Sequence, residues 1–138
     1  MSPAMDQATA RHRLTHAPVG HLATVTPEGR PHLVPCCFAV DGDWIYTAVD
    51  GKPKSTLVLR RLDNIRAHDA VALLVDAYDE EWSDLWWVRA DGAAQIWESG
   101  PRRLHALALL VAKYRQYRET VPPGPVIAVA VNGWRWWP

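Results

Sequence analysis

The first fifty residues alternate short apolar runs with turn residues. Residues 19–25 are rich in β-branched side chains and nearly alternate apolar with polar positions, as half-buried strands do. Residues 26–30 predict a hairpin turn, because a Pro and a Gly stand where a turn needs a fixed φ and a left-handed backbone. A second strand is predicted over residues 32–40, where Pro35 indicates an edge, a bulge or a bend.

The rest of the chain continues with strands and adds helices. An Asp-Gly-Asp hairpin signal precedes a third predicted strand, residues 44–49. A helix is predicted to begin near Ser55, because the following apolar residues recur on one face. The 3.6-residue apolar period predicts another helix over residues 102–118. A short helix is predicted over 6–16, and strands over 71–75, over 85–98 with a break at Asp91–Gly92, and over 126–131.

This order of elements predicts an α+β fold that is mainly β. Tight hairpins join the early strands, so the sheet should be mostly antiparallel. The prediction is a small six-stranded barrel with two or three flanking helices. The length fits a single domain, residues 1–138.

Composition and charge indicate which kinds of partner the protein can bind, but they add little to the fold prediction. The 15 Lys and Arg balance the 15 Asp and Glu, which gives little electrostatic support for nucleic-acid binding. No apolar run approaches the roughly 18 residues of a membrane span, and no signal sequence is evident. We therefore expect a cytoplasmic protein with no membrane partner. The His and Cys residues show no metal-ligand spacing, so no metal is expected.

Four cations lie around the turn that follows the third predicted strand: Lys52, Lys54, Arg60 and Arg61. The turn leads into a helix start, where free N–H groups attract anions, so it predicts an anion site, above all for phosphate. Arg suits bidentate contact with phosphate or carboxylate. The alternative is a solvated surface cluster. Ser55 is interpreted as a helix cap rather than as a nucleophile.

No catalytic side chain is predicted, because neither a nucleophile motif nor a carboxylate pair stands out. Cys36 and Cys37 are adjacent and are interpreted as packing residues. His21 and His32 are expected to face each other across the first hairpin, where His32 could border a ligand.

Tryptophan is the unusual component, with eight Trp against one Phe. Trp82 and Trp86 could stack near a planar ligand or pack at a subunit interface. Trp134, Trp136 and Trp137 are expected to close the barrel end or a dimer seam.

Several motifs carry a family resemblance. They are LATV at 22–25, GRPHLVP at 29–35, NIR at 64–66, VALLVD at 71–76, WWVRADG at 86–92, and Lys113–Tyr114. Together with the order of elements, they resemble the pyridoxamine 5′-phosphate oxidase-like split barrels. The last two motifs are similar to the branch thought to use coenzyme F420, a deazaflavin.

The resemblance implies a six-stranded antiparallel, FMN-binding type of split β-barrel. It also implies a homodimer with two cofactor sites at the subunit interface. The ring contacts that it implies are Val34, Pro35, Cys36, Thr47, Ala48 and Val49. The cations and cap expected at the phosphate are Lys52, Lys54, Ser55, Arg60 and Arg61. Trp82 and Trp86 could reach the ring held by the neighbouring subunit.

Three functions stay open at this point. The first is hydride transfer from reduced coenzyme F420 to a small conjugated acceptor, such as a quinone, an enone, a nitroaromatic or a tetrapyrrole. The second is an oxidase or reductase with bound FMN on the same fold. The third is a non-catalytic flavin- or haem-type cofactor binder. In hydride transfer the cofactor does the chemistry, so the lack of an acid–base set fits the first two.

Overall fold

The structure, a computed structural model, describes residues 4–49 and 56–138, with the backbone alone for residues 56–59. These residues form seven strands and four α-helices. The helices are α1 (Gln7–His16), α2 (Thr56–Ala67), α3 (Pro101–Lys113) and α4 (Arg115–Glu119). The strands are β1 (Gly20–Val25), β2 (Pro31–Cys36), β3 (Ala39–Asp41), β4 (Trp44–Ala48), β5 (Ala70–Ala77), β6 (Trp86–Trp97) and β7 (Val126–Trp137). A short 3-10 helix, Trp82–Asp84, precedes β6.

The strands form one sheet in the order β2-β1-β5-β6-β7-β4-β3, and every pairing is antiparallel. The two end strands of this order, β2 and β3, are joined by only two residues, Cys37 and Phe38, so they lie close together. Thr47 of β4 donates a hydrogen bond to the Cys37 carbonyl, just after β2, at 2.7 Å. The sheet is therefore curled into a split barrel, which confirms the predicted fold class.

The described residues hold seven strands where six were predicted. The predicted strand over residues 32–40 is divided into β2 and β3 at Cys37 and Phe38. The Tyr114 hydroxyl accepts a hydrogen bond from Phe38 N and also lies 3.0 Å from Phe38 O. The backbone of Phe38 is thus bound to a distant side chain, so it does not continue the ladder between strands.

One helix was predicted over residues 102–118, but this segment forms two, α3 and α4. The described chain therefore has four α-helices, where two or three were predicted. Tyr114 is extended, with φ −113° and ψ 117°, and separates α3 from α4. Arg118 donates to the carbonyls of Val111 and Ala112 at 3.2 and 2.9 Å. These carbonyls have no hydrogen-bond partner within α3, so the Arg118 guanidinium supplies the donors that the C-terminal end of this helix lacks.

Of the helices described, none has both the length and the apolar character required to cross a membrane.

Two apolar clusters hold the barrel together. The larger one fills the space between the sheet and helices α1 and α2, and it includes Leu14, Leu22, Phe38, Ile65, Leu73, Val88 and Ile127. The smaller one packs α3 against β4 and β7, and it includes Tyr46, Ala48, Leu107, Leu110, Val126 and Ala128. Neighbouring residues of β4 therefore pack into different clusters, because successive side chains point to opposite faces of the sheet.

A β-bulge lies in β6 at Asp91 and Gly92, where the sequence predicts a break. A Cβ atom on Gly92 would lie 2.4 Å from the Ala130 carbonyl oxygen and 2.7 Å from a methyl carbon of Val129. Strand β7 therefore approaches β6 so closely that only Gly fits at this position.

Strand β7 extends beyond the predicted residues 126–131 and takes in the aromatic tail. Trp134 is buried against the larger cluster. The Trp136 indole donates to the Met5 carbonyl at 2.8 Å, which ties the tail to the residues before α1. Trp137 remains 48% exposed.

Candidate cofactor site

Five side chains lie together where the barrel is split, beside the crossing from β2 to β3. We call this group the split site: Cys36, Thr47, Arg61, Lys113 and Tyr114. Thr47 is buried, and its hydroxyl donates to the Cys37 carbonyl in the crossing and also interacts with the Cys36 thiol. The positive charges of Arg61 and Lys113 both act to lower the pKa of the Cys36 thiol. Four separate segments thus contribute to one site.

Arg61 is the cation that turns inward. Asn64, about one turn later in α2, is buried and donates to the Thr24 hydroxyl at 3.0 Å, which fixes α2 against β1. With the helix held this way, Arg61 is half-buried and Arg60 is exposed. The Arg61 Nε atom is buried and has no hydrogen-bond partner among the described residues. Leaving a buried N–H unpaired costs about 1–3 kcal/mol, a cost that an anionic ligand oxygen would offset.

The Cys36 thiol is neutral at physiological pH. Burial raises its pKa to about 11, although the Thr47 hydroxyl and the Arg61 charge act in the opposite direction. Only the thiolate form of cysteine is a strong nucleophile. Cys36 therefore offers a polarisable contact to a ligand rather than an attacking group.

Lys113 and Tyr114 close the site from the end of α3. Lys113 Nζ lies 3.9 Å from the centre of the Phe38 ring and donates to the Thr15 carbonyl at 3.1 Å. Burial lowers the pKa of Lys113 to about 8 and raises the pKa of Tyr114 to about 12. Neither residue was predicted to belong to the site, although both belong to a motif that carries the family resemblance.

Replacing Lys113 with Met should remove a pH-dependent part of the folding stability. The pKa is about 8 in the folded chain against an ordinary 10.5. Between these values the unfolded chain holds the proton and the folded chain does not, so the wild type gains stability as the pH rises. One pH unit corresponds to at most about 1.4 kcal/mol, and solvent screens this half-buried amine. From about pH 7 to pH 9, we expect the wild type to gain about 1 kcal/mol over the variant.

Urea unfolding of both proteins across this range measures the effect. Taking the difference between the two proteins removes the contributions of Cys36 and Tyr114, which titrate at higher pH in both. A difference that stays constant with pH contradicts the lowered pKa of Lys113.

The predicted ring contacts in β2 lie on an edge strand. Val34 and Cys36 are half-buried on the inner side, and Pro35 is exposed. Among the described strands, β2 pairs with β1 alone, so the sheet leaves backbone groups on its other edge unused, although Pro31 and Pro35 have no N–H. Backbone groups of this kind can hydrogen-bond the polar edge of a planar ligand.

The other predicted ring contacts are all buried: Thr47 and Ala48 in β4, and Val49 just after it. Thr47 turns its hydroxyl to the split site, whereas Ala48 packs into the smaller cluster against α3. Val49 packs into the larger cluster, and its N–H donates to the Pro125 carbonyl at 3.1 Å. Of these three side chains, Thr47 is the one placed to meet a ligand.

The remaining predicted site residues fall into two groups. Lys52, Lys54 and Ser55 lie outside the described residues. Trp82 is 72% exposed on the 3-10 helix, and Trp86 lies under the Arg13 guanidinium at 5.1 Å from its ring centre. Trp86 begins β6, which β1 and β5 separate from β2. Within one described chain the Trp residues are not brought to the split site, so their contact with a neighbouring subunit's ring stays a prediction.

The prediction that His21 and His32 face each other is wrong. The register pairs His21 with Pro35 and His32 with Thr24, so the two rings lie on opposite faces of the hairpin. His32 faces inward, and its buried Nδ1 atom has no hydrogen-bond partner in the described part of the chain. Across residues 4–49 and 56–138, no three His, Cys, Asp or Glu side chains gather as metal ligands would.

Proteins of known structure share this fold. A conserved hypothetical protein of Mycobacterium tuberculosis superimposes with a TM-score of 0.78 at 20% identity, over 96% of this chain and 84% of that chain. A FAD-binding protein from Mesorhizobium loti gives 0.74 at 19% identity, over 97% and 95%. The haem storage protein HutZ from Vibrio cholerae gives 0.74 at 12% identity, over 94% and 92%. At these identities the likeness shows the fold alone.

No curated protein sequence matches this chain significantly. A family model described as Pyridoxamine 5'-phosphate oxidase matches residues 7–138, which is nearly the whole chain. The motifs of the first hairpin, the split barrel and the family match all agree. The chain therefore belongs to the pyridoxamine 5'-phosphate oxidase family.

Proposed function

We propose that this protein is a cytoplasmic, F420-dependent oxidoreductase that transfers a hydride to a small conjugated acceptor. The observation that carries the proposal is the Nε atom of Arg61, which is buried near Cys36 without a hydrogen-bond partner among the described residues. A deazaflavin cofactor with a phosphate and a carboxylate tail offers the anionic oxygens that this atom lacks. The exposed edge of β2 offers backbone groups for the polar side of the ring.

The cationic turn supports the same proposal. Lys52, Lys54 and Arg60 would extend the positive field outward from Arg61, which suits a tail that carries several negative charges. Ser55 would cap the helix start beside the phosphate. This field would also strengthen binding at low salt, since solvent-exposed cations are screened as ionic strength rises.

Four of the five split-site residues, together with the neighbouring Phe38, have a role in the proposed reaction. When bound, a reduced deazaflavin supplies the hydride. Arg61 binds and orients the anionic tail, and Thr47 offers a hydroxyl at the ring. Cys36 and Phe38 exclude water from one side, and Lys113 stabilises negative charge while it is protonated. No side chain is assigned the transfer of the hydride itself.

Two other functions remain as alternatives. The FAD-binding neighbour from Mesorhizobium loti favours a flavin, and FMN on this fold would serve an oxidase or reductase. The haem storage neighbour from Vibrio cholerae favours a non-catalytic haem-type binder. The Arg61 site accepts the phosphate of FMN and a haem propionate by the same chemistry, so experiment must choose among the three.

Titration of the purified protein with F420, FMN and haemin separates these functions. We expect F420 to bind most tightly, followed by faster oxidation of reduced F420 by a quinone when the protein is present. Protein that purifies yellow with FMN would favour the flavin alternative. Tight haemin binding without turnover of any acceptor would favour the storage role and contradict the enzyme proposal.

We further propose a homodimer with the cofactor at the subunit interface. The outer face of the sheet carries Leu33, which is 66% exposed, and Trp137. A cleft of about 500 Å³ opens on this face, lined by Leu74, Tyr78, Trp86, Trp87, Arg89 and Trp137 among others. An exposed apolar surface of this kind favours burial against a second copy. That copy could bring Trp82 and Trp86 to the other chain's split site.

Light scattering on the same samples tests the dimer. We expect a mass about twice that of the 15.5 kDa chain at micromolar concentration. A monomer that still binds F420 would contradict the two-subunit site while leaving the proposed cofactor in place.

A further inference from the structure

A second cleft lies at the start of α3, on the side of β4 opposite to Thr47. Its volume is about 250 Å³, and it is lined by Trp44, Tyr46, Trp97, Pro101, Arg102 and His105. The cleft borders the smaller apolar cluster, so it is separated from the split site by β4. No part of the proposed oxidoreductase function uses it.

Three aromatic rings form its walls. The ring centres of Trp44 and Trp97 are 5.4 Å apart with planes inclined at 49°, and those of Tyr46 and Trp97 are 5.6 Å apart at 47°. Trp44 and Tyr46 are nearly parallel, with ring centres 6.4 Å apart and planes inclined at 14°, so Trp97 is tilted against both. A planar apolar group can pack against such a set of rings by offset stacking or edge-to-face contact.

The Arg102 guanidinium lies on two of these rings. Its central carbon is 4.2 Å from the centre of the Trp97 ring and 5.7 Å from that of Trp44. No hydrogen bond or ion pair joins the Arg102 side chain to another described residue. Its planar donors are therefore held in place by the rings yet remain available, which suits a carboxylate.

Tyr46 adds a second polar group. The residue is 3% exposed, and its hydroxyl forms no hydrogen bond to the other described residues. Burial and the charge of Asp41 raise the pKa of this phenol, so it stays a neutral donor. Asp41 is the negative group nearby, and His105 Nε2 lies 2.8 Å from its carboxylate. His105 thus occupies one oxygen of Asp41, and the positive charge of Arg102 has to outweigh the remaining Asp41 charge for an anion to bind.

We propose that this cleft binds a small aromatic carboxylate, with the carboxylate on Arg102 and the ring against Trp97 and Trp44. A cationic ligand is disfavoured, because it would lie beside the positive charge of Arg102. The volume fits an acid with a single ring, whereas it lies below the roughly 300–1,000 Å³ of pockets for larger ligands. The cleft would therefore exclude the cofactor itself.

Benzoate is the probe, and the indole N–H signals of Trp44 and Trp97 in two-dimensional NMR are the readout. Trp44→Phe and Trp97→Phe assign the two signals. We expect benzoate to shift both with a Kd on the order of 1 mM, and uncharged benzamide to bind about tenfold more weakly. Arg102→Met should weaken benzoate about tenfold, whereas Arg115→Met, which removes an exposed Arg of α4, should leave it unchanged.

Three outcomes would overturn the proposal. The first is no shift of these two signals at saturating benzoate. The second is equal affinity in Arg102→Met and wild type. The third is tighter binding of tetramethylammonium than of benzoate, which would identify a cation site instead. Arg102 is exposed, so its replacement should leave the fold intact, and a thermal melt of each variant verifies this.

Discussion

Replacing Arg61 with Met should weaken cofactor binding by about tenfold to a hundredfold without destabilising the unliganded protein. Hydrogen bonds to charged groups are worth about 1.5–3 kcal/mol, which corresponds to that range of affinity. In the unliganded chain the Arg61 Nε atom is buried without a partner among the described residues, so its removal relieves a cost. Most substitutions that abolish binding also lower stability, whereas this one should separate the two properties.

Fluorescence titration with F420 and urea unfolding measure the two effects on the same samples. Arg60→Met is the informative comparison, because Arg60 is adjacent but exposed, and we expect a smaller loss of affinity. Arg30→Met, on the exposed first hairpin, is the control and should bind as the wild type does. If Arg61→Met binds F420 as the wild type does while Arg60→Met does not, then Arg61 is not the residue that binds the anionic part of the cofactor. If Arg61→Met loses stability, the unpaired atom is not a strained feature of the unliganded fold.

Replacing Gly92 with Ala should destabilise the folded protein by about 3 kcal/mol. The added methyl group would lie 2.4 Å from the backbone oxygen of Ala130, which cannot move without opening the pairing of β6 with β7. A flexible side chain could rotate away from such a contact, but a carbonyl inside a ladder cannot. The clash therefore has to be relieved by a shift of the strands, which costs more than a usual Gly-to-Ala exchange.

Gly133→Ala provides a matched control on the neighbouring strand. Its Cβ would be 4.0 Å from the nearest atoms, those of Asp91, which is an ordinary contact. We expect a change within about 0.5 kcal/mol. Urea unfolding of both variants measures the difference, and equal stability of the two would show that the strands at the bulge yield more easily than the close approach implies.

Local sequence patterns predict most of the fold correctly. The alternation along β1 and the hairpin turns are decided by neighbouring residues, so they can be predicted from the local sequence. Gly92 marks the bulge in the sequence, although the contact that requires it comes from Ala130 of β7. The division of the second strand cannot, because Tyr114 binds Phe38 from 76 residues away. The same residue ends α3 early. Both errors therefore come from one contact that no local pattern contains.

The candidate site is also only partly predictable, because long-range contacts decide which residues it brings together. The cationic cluster is visible in the sequence, but which cation turns inward depends on how Asn64 fixes α2 to Thr24. Lys113 enters the site only because α3 ends beside Phe38. The contribution of Trp82 and Trp86 depends on a second copy of the chain, so neither the pattern nor the single chain determines it.

The two edges of the sheet determine how these molecules avoid joining into filaments. Strand β2 carries Pro31 and Pro35, which lack the N–H groups that an incoming strand would need. Strand β3, at the other edge, has only three residues. Neither edge can template a long ladder, so strand-by-strand growth into amyloid-like fibres is blocked at both ends. The protein can therefore leave the β2 edge open for a ligand and still resist self-polymerisation.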